Sequence, residues 1–132
     1  MNRHTWWAMG VFLVGCPTTE DWQPVSYVDE GALCIEAGAT DLTVNVDPGE
    51  CLSSSCSRAF TGACTVTLDG NTITVTSDIA WEQNVAEGAE CTDDCGSTAA
   101  SCTLATPADG TYTVMFGAEQ SELVVPVTGT CP

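Results

Sequence analysis

The side chains able to do chemistry in this chain are few in kind. Of 132 residues, nine are cysteine and eighteen are aspartate or glutamate, against two arginines, one histidine and no lysine. The histidine is His4 and one arginine is Arg3, so from residue 5 onward the only basic side chain is Arg58. That inventory excludes Ser-His-Asp and Cys-His nucleophilic sites, histidine acid–base work and His-containing zinc sites from the body of the chain. It leaves no lysine for a Schiff base and no cationic cluster for a phosphate clamp, and no glycine-rich phosphate loop occurs. Sulfur and carboxylate are what remain.

The cysteines are Cys16, Cys34, Cys51, Cys56, Cys64, Cys91, Cys95, Cys102 and Cys131. Cys91-Thr92-Asp93-Asp94-Cys95 places three residues between its thiols, where thiolate metal sites usually place two. In an oxidising compartment such thiols form disulfides instead. Two carboxylates can run glycoside hydrolysis, but a chain this small with short strands has little room for a sugar cleft, so the reading is of a protein that is not an enzyme. Calcium is the ion the carboxylates suit, since it takes six to eight oxygen ligands. Asp47 and Glu50 share one turn, and Asp93 and Asp94 share one loop. These four are the candidate metal ligands, although no EF-hand spacing is present.

The N-terminal residues give the sulfur chemistry its setting. Met1 to His4 carries one fixed positive charge, Trp6 to Gly15 is apolar, and Gly15 precedes Cys16. This is the layout of a secretory signal, and the apolar run is too short for the roughly 20 residues that span a bilayer. Leu13-Val14-Gly15-Cys16 resembles the bacterial lipobox. The resemblance covers only this segment, and it implies cleavage before Cys16, a diacylglycerol thioether on its sulfur and acylation of the new amine. Two or more acyl chains anchor a protein stably where one does so marginally. Pro17 stands where inner-membrane lipoproteins carry aspartate, so the resemblance implies an outer-membrane destination. Assigning Cys16 to lipid leaves eight cysteines, enough for four disulfides, whereas nine would leave an orphan thiol.

Removing residues 1–15 leaves 117, the size of one domain. In that remainder one arginine stands against eighteen acidic residues, a net charge of −17. Such a surface repels nucleic-acid phosphates and anionic lipid headgroups, so the expected partners are the membrane through the lipid anchor, and another envelope or surface protein. The charge also serves solubility.

The elements that must position these groups read as strands. Residues 16–30 read as an acidic tether, with an edge strand near Val25 to Val28 at its end, leading to a domain over 31–132. Asp41 to Val46 alternates, with Leu42, Val44 and Val46 on one face, and Asp47-Pro48-Gly49 stops it. Cys64 to Leu68 and Thr72 to Thr76 form a hairpin about Asp69-Gly70-Asn71, with threonine at nearly every outward position. Trp81 is a core candidate. Glu82 to Ser101 reads as a long loop held by staples. Thr111 to Phe116 and Glu122 to Val127 are the last strands, Pro126 marking an edge or an end.

Short strands separated by turns predict an all-β, disulfide-stapled antiparallel β-sandwich. Gly110-Thr111-Tyr112 resembles the tyrosine corner of immunoglobulin-like sandwiches. It departs from that family in the place of Asp109 and in having Val114 where a cysteine would stand. Eight cysteines allow 105 pairings. The expected set is Cys34 with Cys131, local pairs within Cys51/Cys56/Cys64 and within Cys91/Cys95/Cys102, and one bridge joining those groups. The function these features point to is a non-catalytic, lipid-anchored envelope lipoprotein acting as a structural or protein-binding module. The alternative is an ion- or ligand-binding surface lipoprotein.

Overall fold

A computed structural model describes residues 20–132. The lipobox and Cys16 lie outside the described residues, as does the start of the expected tether. Eight strands and no helix occur among the described residues: β1 (Trp22–Val28), β2 (Ala32–Ala37), β3 (Asp41–Asp47), β4 (Ser57–Asp69), β5 (Thr72–Asn84), β6 (Ala100–Ala105), β7 (Gly110–Phe116) and β8 (Glu119–Val125). They form a five-stranded and a three-stranded sheet. The all-β, disulfide-stapled sandwich expected from the strand pattern is what the chain forms.

The larger sheet is organised around β5. Its inward positions are Ile73, Val75, Ser77, Ile79 and Trp81, all buried, and its outward positions are Thr72, Thr74, Thr76, Asp78, Ala80 and Glu82. β4 pairs with β5 from Asp69↔Thr72 to Ser57↔Gln83. β1 pairs antiparallel with the far half of β5, Val28↔Asp78 to Trp22↔Asn84, while β7 pairs with the near half, Thr72↔Thr113 to Val75↔Phe116. Since β4 runs along one edge of β5, β1 and β7 follow one another along the other. β8 completes the sheet beyond β7. The smaller sheet has the order β2-β3-β6.

Three expectations change here. The sheet is not purely antiparallel, because β7 runs parallel to β5 over its four paired positions. The tether gives way to structure at Trp22, since all seven residues of β1 are paired, with Pro24 tolerated on an edge strand. The hairpin is also far longer than its alternating segment. Its outer half carries a register shift between Arg58 and Thr61, where Ala59 adopts φ 54°. A bulge of this kind interrupts the period of two on which a strand reading depends.

The core lies between the sheets. Val44 and Val46 of β3 meet Ile73, Val75, Ile79 and Trp81 of β5, and Tyr112, Val114 and Phe116 of β7. Each fully buried aliphatic side chain contributes about 1.5–3 kcal/mol relative to exposure. The Tyr112 hydroxyl donates to the Ala108 carbonyl four residues upstream at 2.8 Å. That is the hydrogen bond expected of a tyrosine corner. Two glycines mark close approaches in the crossover from β1 to β2. A Cβ on Gly31 would lie 2.8 Å from the Asp47 carbonyl oxygen, and one on Gly117, in the β7–β8 turn, 2.5 Å from that of Asp29.

Candidate functional site

Six strand ends gather at one end of the sandwich. β3 leaves it into the segment 48–56, which enters β4, and β5 leaves it into the segment 85–99, which enters β6. The hairpin of β4 and β5 brings these two segments face to face. They are joined by disulfides Cys51–Cys95 and Cys56–Cys91, with Cα–Cα distances of 4.9 and 5.4 Å. A third bridge, Cys64–Cys102, ties the inner face of β4 to β6 across the sheets, and Cys34–Cys131 ties the C-terminal segment to β2.

The Cys34–Cys131 pairing agrees with expectation. The local pairings within Cys51/Cys56/Cys64 and within Cys91/Cys95/Cys102 do not occur, and three bridges rather than one join the two groups. For the Cys51–Cys95 and Cys56–Cys91 bridges the cause is the hairpin itself, and Cys64–Cys102 follows from β4 facing β6 across the sheets. A chain that folds back about Gly70 places positions at similar distances on either side opposite one another, so the serine-cysteine loop before β4 meets the loop after β5. That symmetry is legible once the turn at Asp69-Gly70-Asn71 is recognised.

Between the bridges the two segments are laced by polar groups. Leu52 and Gly96 exchange both backbone hydrogen bonds, at 3.2 and 2.8 Å. Thr92 N donates to Ser55 Oγ at 2.9 Å, and the Ser53 and Thr92 hydroxyls lie 2.9 Å apart. The Asp94 carboxylate accepts from the Thr92 hydroxyl and from Ser54 N. These donors hold its pKa below the ordinary aspartate value, the Thr92 hydroxyl contributing most. Asn84 N donates to the Cys56 carbonyl at 2.8 Å, which seats the cap on the end of β5.

The cap rests on a second polar layer. Thr98, 1 % exposed, donates to Asp47 Oδ1 at 2.8 Å and lies 3.2 Å from the Glu50 carbonyl. Asp47 also accepts from Gly49 N at 2.9 Å. Tyr27, stacked on Trp81 at 5.7 Å between centroids, donates its hydroxyl to Glu50 Oε1 at 2.8 Å. That hydrogen bond raises the Tyr27 pKa, with burial and the charge of Glu50 adding to it.

These contacts show where the four calcium candidates are turned. Asp47 and Glu50 are turned to Thr98 and Tyr27, Asp94 to Thr92 and Ser54, and Asp93 stands exposed. Among the described residues, no three Asp, Glu, Cys or His side chains converge in a way that could hold a metal ion. The carboxylates at this end are acceptors that fasten loops. Ser53, Thr92 and Thr98 were missed by sequence reasoning, because a hydroxyl in a polar loop carries no signal of the partner it will meet.

Arg58 lies on the outer face of the larger sheet near the same end. Its Nε is 2.6 Å from Glu82 Oε2, and its guanidinium lies 4.0 Å from the centroid of the Trp22 ring. The pair is half exposed and contributes little to stability, but it occupies the only cation beyond residue 5. Asp21, preceding β1, is joined to the end of β5 through Val85 N→Asp21 O at 2.8 Å. The chain therefore enters the domain beside the cap.

What the arrangement offers is a rigid, hydroxyl-rich, acidic platform. The chain matches no family model, no curated protein and no solved structure.

Proposed function

We propose that this chain is a non-catalytic, lipid-anchored lipoprotein of the cell envelope, carried to the outer membrane, and that its domain is a structural or protein-binding module. The observation that carries the reading is the cysteine count. Eight cysteines pair completely in four disulfides, which leaves Cys16 as the one thiol for lipid. Disulfides of this density fit an exported protein. The doubly bridged cap supports the binding part, since recognition favours loops held on a rigid scaffold.

The entry of the chain beside the cap gives the reading an orientation. From Cys16 to Asp21 a fully extended chain reaches at most roughly 17 Å. An anchored molecule would hold its cap toward the bilayer, where the cap would meet the membrane-proximal part of a neighbouring envelope protein.

The test is expression in a Gram-negative host with labelled fatty acid, followed by membrane fractionation. Label on the wild type and its loss in Cys16→Ser, with release of the chain from the membrane fraction, is the expected result. Unlabelled wild type, or membrane attachment independent of Cys16, removes the lipoprotein reading. Crosslinking from intact cells tests the binding module, and its absence of any reproducible neighbour would leave only a structural role.

A further inference from the structure

An exposed sheet edge is a template for another strand, and folded proteins blunt such edges with bulges, prolines, covering segments or charge. The edges of this sandwich differ in that respect. β4 carries the bulge at Ala59 and is tied to β6 by Cys64–Cys102. β1 contains Pro24. β2 has the C-terminal segment fastened to it through Cys34–Cys131, and Cys131 N donates to Glu36 at 3.2 Å. β8 has no bulge, no internal proline and no covering segment among the described residues. Among the described residues its seven residues pair only with β7, with no proline or glycine before Pro126 ends the strand.

Charge is what guards β8, through Glu119 and Glu122. Charge discriminates by sign: it repels a second copy of this domain, itself at −17 without the N-terminal Arg3, and favours a cationic strand. The start of the edge opens onto two adjoining cavities. One, of about 230 Å³, is lined by Glu30, Gly31, Phe116 and Glu119 among others. The next, of about 250 Å³, lies between Gly31–Leu33 on one wall and Glu119–Ser121 on the other. Glu30 and Glu119 have no side-chain hydrogen bond or ion pair among the described residues, and Arg58 is already held by Glu82.

We infer that the outer edge of β8 accepts an extended segment of a partner protein by strand addition, with a lysine or arginine of that segment seated between Glu30 and Glu119. The inference rests on the protein-binding reading and gives that module a contact surface on β8, apart from the cap. Backbone pairing would supply affinity, and the carboxylates would set register and select the cation.

The probe is a capped peptide of about eight residues alternating valine and threonine around a central lysine, with a central-glutamate version as control. Binding is followed on the full, disulfide-bonded chain by amide exchange and resonance shifts. The lysine peptide is expected to slow exchange along β8, and the glutamate peptide to do nothing. The double variant Glu30→Gln/Glu119→Gln should weaken binding by roughly tenfold or more, whereas Asp41→Asn/Asp69→Asn, an equal change of charge elsewhere on the two sheets, should leave it within about twofold. Equal weakening by both pairs, protection on another strand, or no protection at all overturns the inference. A cellular neighbour crosslinked only through the cap also overturns it while leaving the module reading in place, and no neighbour at any face removes that reading itself.

Discussion

Asp94 shows how one carboxylate serves this fold. Its ordinary value is 3.8 and its surroundings lower it, so the unfolded chain takes up the proton first. Its contribution is therefore fully present above about pH 4 and is lost as pH falls through the depressed value. The stability gap between wild type and Asp94→Asn should be constant from neutral pH down to about pH 4 and then shrink on further acidification. Thermal melts across that range check this, and a gap that does not change with pH rules it out. Tyr27 has the opposite sign: its raised pKa stabilises below the ordinary value of 10.0 and ceases to do so as pH rises through the shifted one. Ser77 is a different case. Its backbone N donates to Asp29 Oδ1 at 2.7 Å, yet its buried Oγ has no partner among the described residues. An unpartnered buried hydroxyl costs about 1–3 kcal/mol. Ser77→Ala should leave stability unchanged or raise it by about 1 kcal/mol, read from denaturant midpoints. A clear loss would show that the hydroxyl is satisfied in solution.

At the scale of elements, the nested bridges of the cap predict a non-additive pattern. Cys56–Cys91 lies inside the loop closed by Cys51–Cys95. With one bridge in place, the other closes only the short steps between Cys51 and Cys56 and between Cys91 and Cys95. Removing either pair alone, by serine at both positions, should cost about 2–3 kcal/mol on the chain-entropy model. Removing both also frees the segments from Cys56 to Cys64 and from Cys91 to Cys102, up to the Cys64–Cys102 bridge, and should cost more than the two single losses together. Urea unfolding of the three variants tests this, and simple additivity contradicts the nesting. The strands that could be read in the sequence were those with β-branched alternation, β3, the inner half of the β4–β5 hairpin, β7 and the second half of β8. β2 and β6, Ala32-Leu33-Cys34-Ile35-Glu36-Ala37 and Ala100-Ser101-Cys102-Thr103-Leu104-Ala105, carry small or half-buried residues and gave no period. The ends of β5 escaped because Glu82-Gln83-Asn84 is polar while paired on both sides. The partners of Asp47, Glu50 and Asp94 were not legible either, since each depends on a loop that arrives from the other side of the hairpin.

For the whole molecule, charge is the dominant field. A domain at −17 with one ion pair among its described residues repels itself when compact. Its melting temperature should rise as sodium chloride increases from about 0.01 M to 0.15 M, over which the screening length falls from about 30 to 8 Å. A fall in melting temperature would mean that attractive pairs outweigh repulsion, which a single exposed arginine cannot supply. The same field limits self-association and so favours a module that meets other proteins rather than its own copies.

The pairing of β1 has a mechanical consequence. On an anchored molecule, any pull between membrane and domain enters through Asp21 and runs along β1, whose first residue lies at the cap end of β5. Such a force loads the seven paired positions of β1 in shear, all at once, rather than peeling them one by one. At the other terminus, Cys34–Cys131 fixes the chain covalently to β2. If anchored as proposed, the fold would hang by its first strand, with resistance to tugging concentrated in the β1–β5 ladder.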